Sequence, residues 1–145
     1  MTSSVATVQP GLSQTFTLDN PSTLIVWATI GARTTVTTSG AFASVDAVIY
    51  VNGNFLPDGG WNRFNVINGT TNSFSTVAIN TMFSLPAGTH TIDLRTLRNN
   101  SSTSPVDIGG NSSVDTNPGE LTILVMDGSP TSPIIGSGTS RQARQ

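Results

Sequence analysis

In 145 residues the chain carries no Cys and no Lys, a single His (His90) and a single Glu (Glu120), with a net charge of −2 and only 10% charged residues. That inventory argues against catalysis, since acid–base, nucleophilic and metal chemistry all need clusters of His, Cys, Lys or carboxylates with tuned proton affinities. It also removes disulfides, and six scattered Arg with no basic run speak against neutralising the phosphates of a nucleic acid.

The length implies one domain with a single core, and 36% hydrophobic residues set the chain apart from disordered sequences. Residues 1–10 have neither the basic start nor the apolar run of a signal peptide, and the longest apolar run, Leu24 to Ala28, is far short of the roughly 20 residues that cross a bilayer. The expectation is a soluble, complete gene product without membrane contact.

Helix signals are missing and strand signals recur: short runs rich in Val, Ile, Thr and Phe alternate with Gly, Pro, Asn and Asp clusters. Eight strands are expected, near residues 13–18, 23–37, 42–52, 62–67, 73–83, 88–97, 105–108 and 120–126. In the third, Val45, Ala47, Ile49 and Val51 alternate with Asp46, Val48 and Tyr50, giving one apolar and one mixed face. Asn52-Gly53 suits a tight hairpin turn, and Leu85-Pro86-Ala87-Gly88 reads as a turn in which Pro fixes φ and Gly supplies an unusual angle. His90, Ile92 and Leu94 alternate with polar neighbours in the sixth strand.

Two strands are apolar on both faces. Leu24, Val26, Ala28 and Ile30 oppose Ile25 and Trp27, and the run Leu121 to Met126 behaves likewise. Either both are central core strands, or a partner subunit covers their outer faces through Ile25, Trp27, Leu124 and Met126. The polar segment 1–12 and the Gly-, Ser- and Pro-rich segment 127–145 read as flexible arms around a domain at 13–126.

Trp61, between Gly59-Gly60 and Asn62-Arg63, is the best binding candidate: its ring either stacks on a sugar with Asn62 and Arg63 as hydrogen-bonding neighbours, or packs at the end of the core or in a subunit interface. Asp107 to Asn111 with Asp115 offers oxygen ligands but lacks the regular alternation of a calcium loop, so a solvated loop is expected and no metal or cofactor. His90, next to a Gly-Thr turn, reads as a strand-edge residue. Arg95 and Arg98, near Asp93, are candidates for ion pairs between subunits. The Asn-x-Ser/Thr triplets at Asn68, Asn99, Asn100 and Asn111 carry no weight in a chain so rich in these residues.

The run Phe83-Ser84-Leu85-Pro86-Ala87-Gly88-Thr89-His90-Thr91-Ile92-Asp93-Leu94 resembles a signature of trimeric jelly rolls of the tumour-necrosis-factor and complement-head type, with Val48 to Gly53 before it and Glu120 to Met126 after it in the matching order. The aromatic-rich Gly-x-Tyr strand of the complement heads is absent. The resemblance implies an all-β, two-sheet antiparallel jelly-roll β-sandwich that assembles as a homotrimer. Among such proteins the chain looks most like bacteriophage head decoration (cement) proteins, because it has neither heptads nor Gly-x-y repeats for a fibre stalk. The expected role is thus a non-catalytic virion protein on the capsid surface, with itself and the major capsid protein as partners. The alternative is an extracellular receptor- or carbohydrate-binding module such as a tail-fibre tip, with a glycan as ligand.

Overall fold

A computed structural model describes residues 5–34, 42–67, 74–99, 105–109 and 118–127. All regular structure among them is β: β1 (Thr7–Leu18), β2 (Ser22–Thr34), β3 (Phe42–Val51), β4 (Asn54–Phe55), β5 (Trp61–Ile67), β6 (Phe74–Leu85), β7 (Gly88–Arg98), β8 (Val106–Ile108) and β9 (Glu120–Asp127). They form two antiparallel sheets. In the first, the order is β1-β7-β3, with β4 and β5 both pairing the far side of β3; in the second, β2 lies between β6 and the pair β8 and β9.

The sheets face each other through the residues that alternation nominates. Ala43, Val45, Ala47 and Ile49 of β3 and Ile92 and Leu94 of β7 are fully buried against Leu24, Val26, Ala28 and Ile30 of β2, with Phe64, Val66, Val77 and Ile79 closing one side. Burying each larger side chain contributes about 1.5–3 kcal/mol, so this interleaved layer is the main source of stability.

The Asn52-Gly53 turn forms as expected: Val51 pairs Asn54, and the two turn residues have φ of 52° and 81°, the left-handed pair a two-residue hairpin requires. At the same end of the sheet Gly88, with φ of 136°, lets the chain leave Pro86 and enter β7.

Most strand ends fall within one or two residues of the sequence reading, and β9 runs to Asp127, expected as the first residue of the arm; the differences that matter most lie in β1, β4 and the start of β5. β1 starts at Thr7, so residues 7–12, expected as arm, are sheet, and Leu12 and Gln9 are buried. Here the alternation is broken by an irregularity between Val8 and Ser13, where Gly11 takes φ of 78°. The two-residue β4 was too short to leave a pattern, and β5 begins at Trp61 itself. The C-terminal segment 128–145 lies outside the described residues, as do residues 1–4.

The two long sides of the sandwich are unlike. On one, β5 and β6 adjoin and Asn62 Nδ2 donates to the Ala78 carbonyl at 3.3 Å. On the other, the edge strands β1 and β9 flank a groove of about 380 Å³ in which Phe16, Leu18, Ile123 and Val125 are joined by the polar Gln14, Thr17, Asp19 and Asn20.

Candidate functional site

Directly paired residues of neighbouring strands share a face, so the register fixes what each sheet shows to the outside. On the β6-β2-β9 sheet the outward rows are Ser84-Thr23-Met126, Met82-Ile25-Leu124, Asn80-Trp27-Thr122 and Ala78-Thr29-Glu120. Glu120, at one corner, is the only charged residue in these four rows, and it accepts a hydrogen bond from the Thr122 hydroxyl at 2.9 Å. Trp27 is 41% exposed, Met82 50%, Leu124 46% and Met126 37%. The four residues singled out for an interface, Ile25, Trp27, Leu124 and Met126, therefore lie on one face, and their inward neighbours Leu24, Val26 and Ala28 fill the core. Met82 and Ala78 complete the patch from β6, a contribution visible only once β6 is known to pair with β2. Further along, Arg33 and Asp107 oppose each other across β2 and β8 and form an ion pair at 3.2 Å. Asp107 and Ile108 are thus strand residues and the Gly109 amide donates to the Gly31 carbonyl at 2.8 Å; Gly110, Asn111 and Asp115 of the candidate calcium loop lie outside the described residues.

The outer face of the other sheet is built differently. Its central rows are Asp93-Tyr50-Phe55, Arg95-Val48-Trp61 and Leu97-Asp46-Arg63. Asp46 is 1% exposed although it points away from the core, because Arg63 lies over it with two hydrogen bonds, one of them Nη2 to Oδ2 at 2.9 Å. Arg95 grips Asp93 in the same two-pronged way, at 2.6 and 3.2 Å, and its guanidinium stacks 4.1 Å from the centre of the Tyr50 ring. Arg63 likewise sits 5.6 Å from the Trp61 ring, within cation–π range. The hydrogen bond to each carboxylate raises the pKa of its guanidinium further above an already high value, so both Arg stay charged at any working pH.

Trp61, 53% exposed, and Arg63 share this face. Asn62 does not: alternation along β5 turns it to the opposite side, toward Ala78 of β6. The expected trio is thus a pair, and the structure replaces Asn62 with Tyr50 and Arg95 from the strands alongside. Arg95 makes an ion pair within its own chain, with Asp93.

His90 is not a strand-edge residue: it is 6% exposed, with its ring 6.4 Å from that of Phe16. Its Nε2 lies 2.9 Å from the Pro86 carbonyl, to which it donates, and its Nδ1 lies 3.1 Å from Asn52 Nδ2, from which it accepts. Asn52 Oδ1 accepts from the Thr91 amide at 2.9 Å. His90 and Asn52 therefore clamp the β3–β4 turn to β7, a structural task.

Among the described residues no three His, Cys, Asp or Glu side chains converge as metal ligands, and no helix is long and apolar enough to cross a membrane. No family model, curated protein or solved structure matches the chain.

Proposed function

We propose that the chain is a non-catalytic structural protein that assembles with copies of itself, as a homotrimer, and decorates a viral capsid, with the major capsid protein as its partner. The observation that carries the reading is the outer face of the β6-β2-β9 sheet, where Trp27, Met82, Leu124 and Met126 are a third to a half exposed around a row free of charge. A solvated outer sheet face normally alternates to polar residues. Covering the four half-exposed side chains contributes about 1 kcal/mol each, and repetition on a lattice multiplies such modest contacts. A protein that binds only the assembled shell raises the cost of taking it apart by mass action.

A jelly-roll path is part of the proposal. The chain changes sheet from β1 to β2 to β3 and again from β5 to β6 to β7, while β3 and β5 pair in one sheet and β2 and β6 in the other, an order compatible with two interlocked Greek keys. Residues 83–94, 48–53 and 120–126 resemble trimeric jelly rolls of the tumour-necrosis-factor and complement-head type, and the capsid context rests on analogy with phage decoration proteins that use such rolls, together with the lack of heptads or Gly-x-y repeats for a fibre stalk.

The test has two parts. Light scattering on the purified chain is expected to give three times the 15.1 kDa chain mass, with the assembly lost in Leu124→Asp. Co-sedimentation with capsid shells lacking the protein is then expected to show saturable binding and a higher shell melting temperature. A monomeric chain, or one that leaves shells unbound, contradicts the proposal.

A further inference from the structure

We propose that the outer face of the β1-β7-β3-β5 sheet is a binding platform for a neutral oligosaccharide. The inference is independent of the assembly reading, since this face lies on the opposite side of the sandwich from Trp27 and Leu124 and remains open whether or not the other face is covered.

The nine central residues form three rows across β7, β3 and β4 or β5. With strands about 4.8 Å apart and same-face residues about 6.8 Å apart along a strand, the side chains stand on a patch of about 10 by 14 Å, the span of a short oligosaccharide. Its chemistry is an alternation of ring faces and guanidinium groups. Trp61 and Phe55 are 53% and 57% exposed, and Arg63 and Arg95 lie over the rings of Trp61 and Tyr50.

The charges decide which ligand fits. Asp46 with Arg63 and Asp93 with Arg95 are two internally compensated pairs, so the patch has no net charge with which to attract a phosphate, a sulfate or a nucleic acid. Each guanidinium nevertheless has five N–H donors in a fixed fork. Its carboxylate engages two nitrogens, and the Arg63 side chain is 49% exposed, so donors remain for a ligand.

A ligand suited to this surface has an apolar C–H face to lie on an indole and hydroxyl oxygens around its rim to accept from guanidinium groups. A neutral pyranose offers both. An extended peptide would instead use main-chain groups at a sheet edge, which this face does not present. The pairs are also rigid before any ligand arrives: Asp46 is held under Arg63, and Arg95 is held between Asp93 and Tyr50. Little side-chain entropy is then lost on binding.

The experiment is saturation-transfer difference NMR on the full chain with maltotetraose, cellotetraose and N-acetylchitotetraose as neutral probes and sialyllactose as the acidic one. The expected result is transfer to at least one neutral probe. Its affinity should fall at least about tenfold in Trp61→Ala and to a lesser degree in Phe55→Ala, both exposed positions whose truncation spares the core. Asp107→Asn, on the other sheet, is expected to bind as the parent does. The inference is overturned if no neutral probe binds at millimolar concentration, if binding survives unchanged in Trp61→Ala, or if only sialyllactose binds. None of these readouts depends on the mass of the assembly, so they fail or succeed separately from the self-association reading.

Discussion

Replacing Asn52 should destabilise the fold by an amount that separates its backbone role from its side-chain role. Asn52 sits at φ of 52°, donates to the buried His90 ring and accepts from the Thr91 amide. In Asn52→Gly the left-handed backbone is retained and both side-chain bonds are lost. The Thr91 amide is exposed enough to find water, about 1 kcal/mol, while His90 Nδ1 is left buried without a donor, about 1–2 kcal/mol. The expected loss is therefore about 2 kcal/mol. Asn52→Ala adds the cost of holding a Cβ in the left-handed region, about 1 kcal/mol more. Urea unfolding at one fixed protein concentration would read both, because self-association adds concentration-dependent stability. The denaturation midpoint should shift with an unchanged slope. An Asn52→Gly protein within about 0.5 kcal/mol of the parent would refute the clamp, since a net cost of that size is below the loss of even one buried hydrogen bond.

Other outcomes follow from the same geometry. Ile49→Ala, at a fully buried position of β3, should cost about 2–5 kcal/mol in the same unfolding assay through the cavity it leaves. Gly60→Ala should be more harmful than Gly53→Ala: a Cβ at 60 would meet Leu56 Cβ at 2.7 Å and its carbonyl at 2.8 Å, whereas one at 53 meets nothing within 4 Å and suffers only its φ of 81°. Differential scanning calorimetry should show the larger drop in melting temperature for Gly60→Ala. Long-range ¹⁵N–¹H correlation of the lone imidazole should show His90 protonated at Nε2 and bare at Nδ1, as its two partners require; the opposite tautomer would mean that the Pro86 and Asn52 contacts are not as described.

Much of the sheet architecture was legible in the sequence because strands with one buried face write a period of two. Val45 to Val51 and His90 to Leu94 behave as their alternation implies, and Asn52-Gly53 announces its turn through the backbone angles only such a pair adopts cheaply. Period two also contains the orientation of Asn62, which must oppose Trp61 and Arg63 within one strand. It was hidden because Gly59-Gly60 made Trp61 look like loop.

Pairing was not legible. Nothing local to Asp46 says that Arg63 will cover it, nor does Met82 reveal that it stands beside Ile25; both depend on which strands become neighbours. The start of β1 was masked for another reason. Thr7 to Gly11 exposes most of its side chains and is interrupted by Gly11, so a polar, irregular stretch read as arm although its Gln9 side chain is buried against Thr96.

The central claim is that the uncharged face around Trp27 and Leu124 is covered by further copies of the chain. The measurement that tests it most directly is the solution mass by multi-angle light scattering at micromolar concentration, for the parent and for Leu124→Asp. The account predicts three times 15.1 kDa for the parent and 15.1 kDa for the variant, with the same far-ultraviolet circular dichroism. A parent of 15.1 kDa, or a variant whose mass does not change, would contradict it.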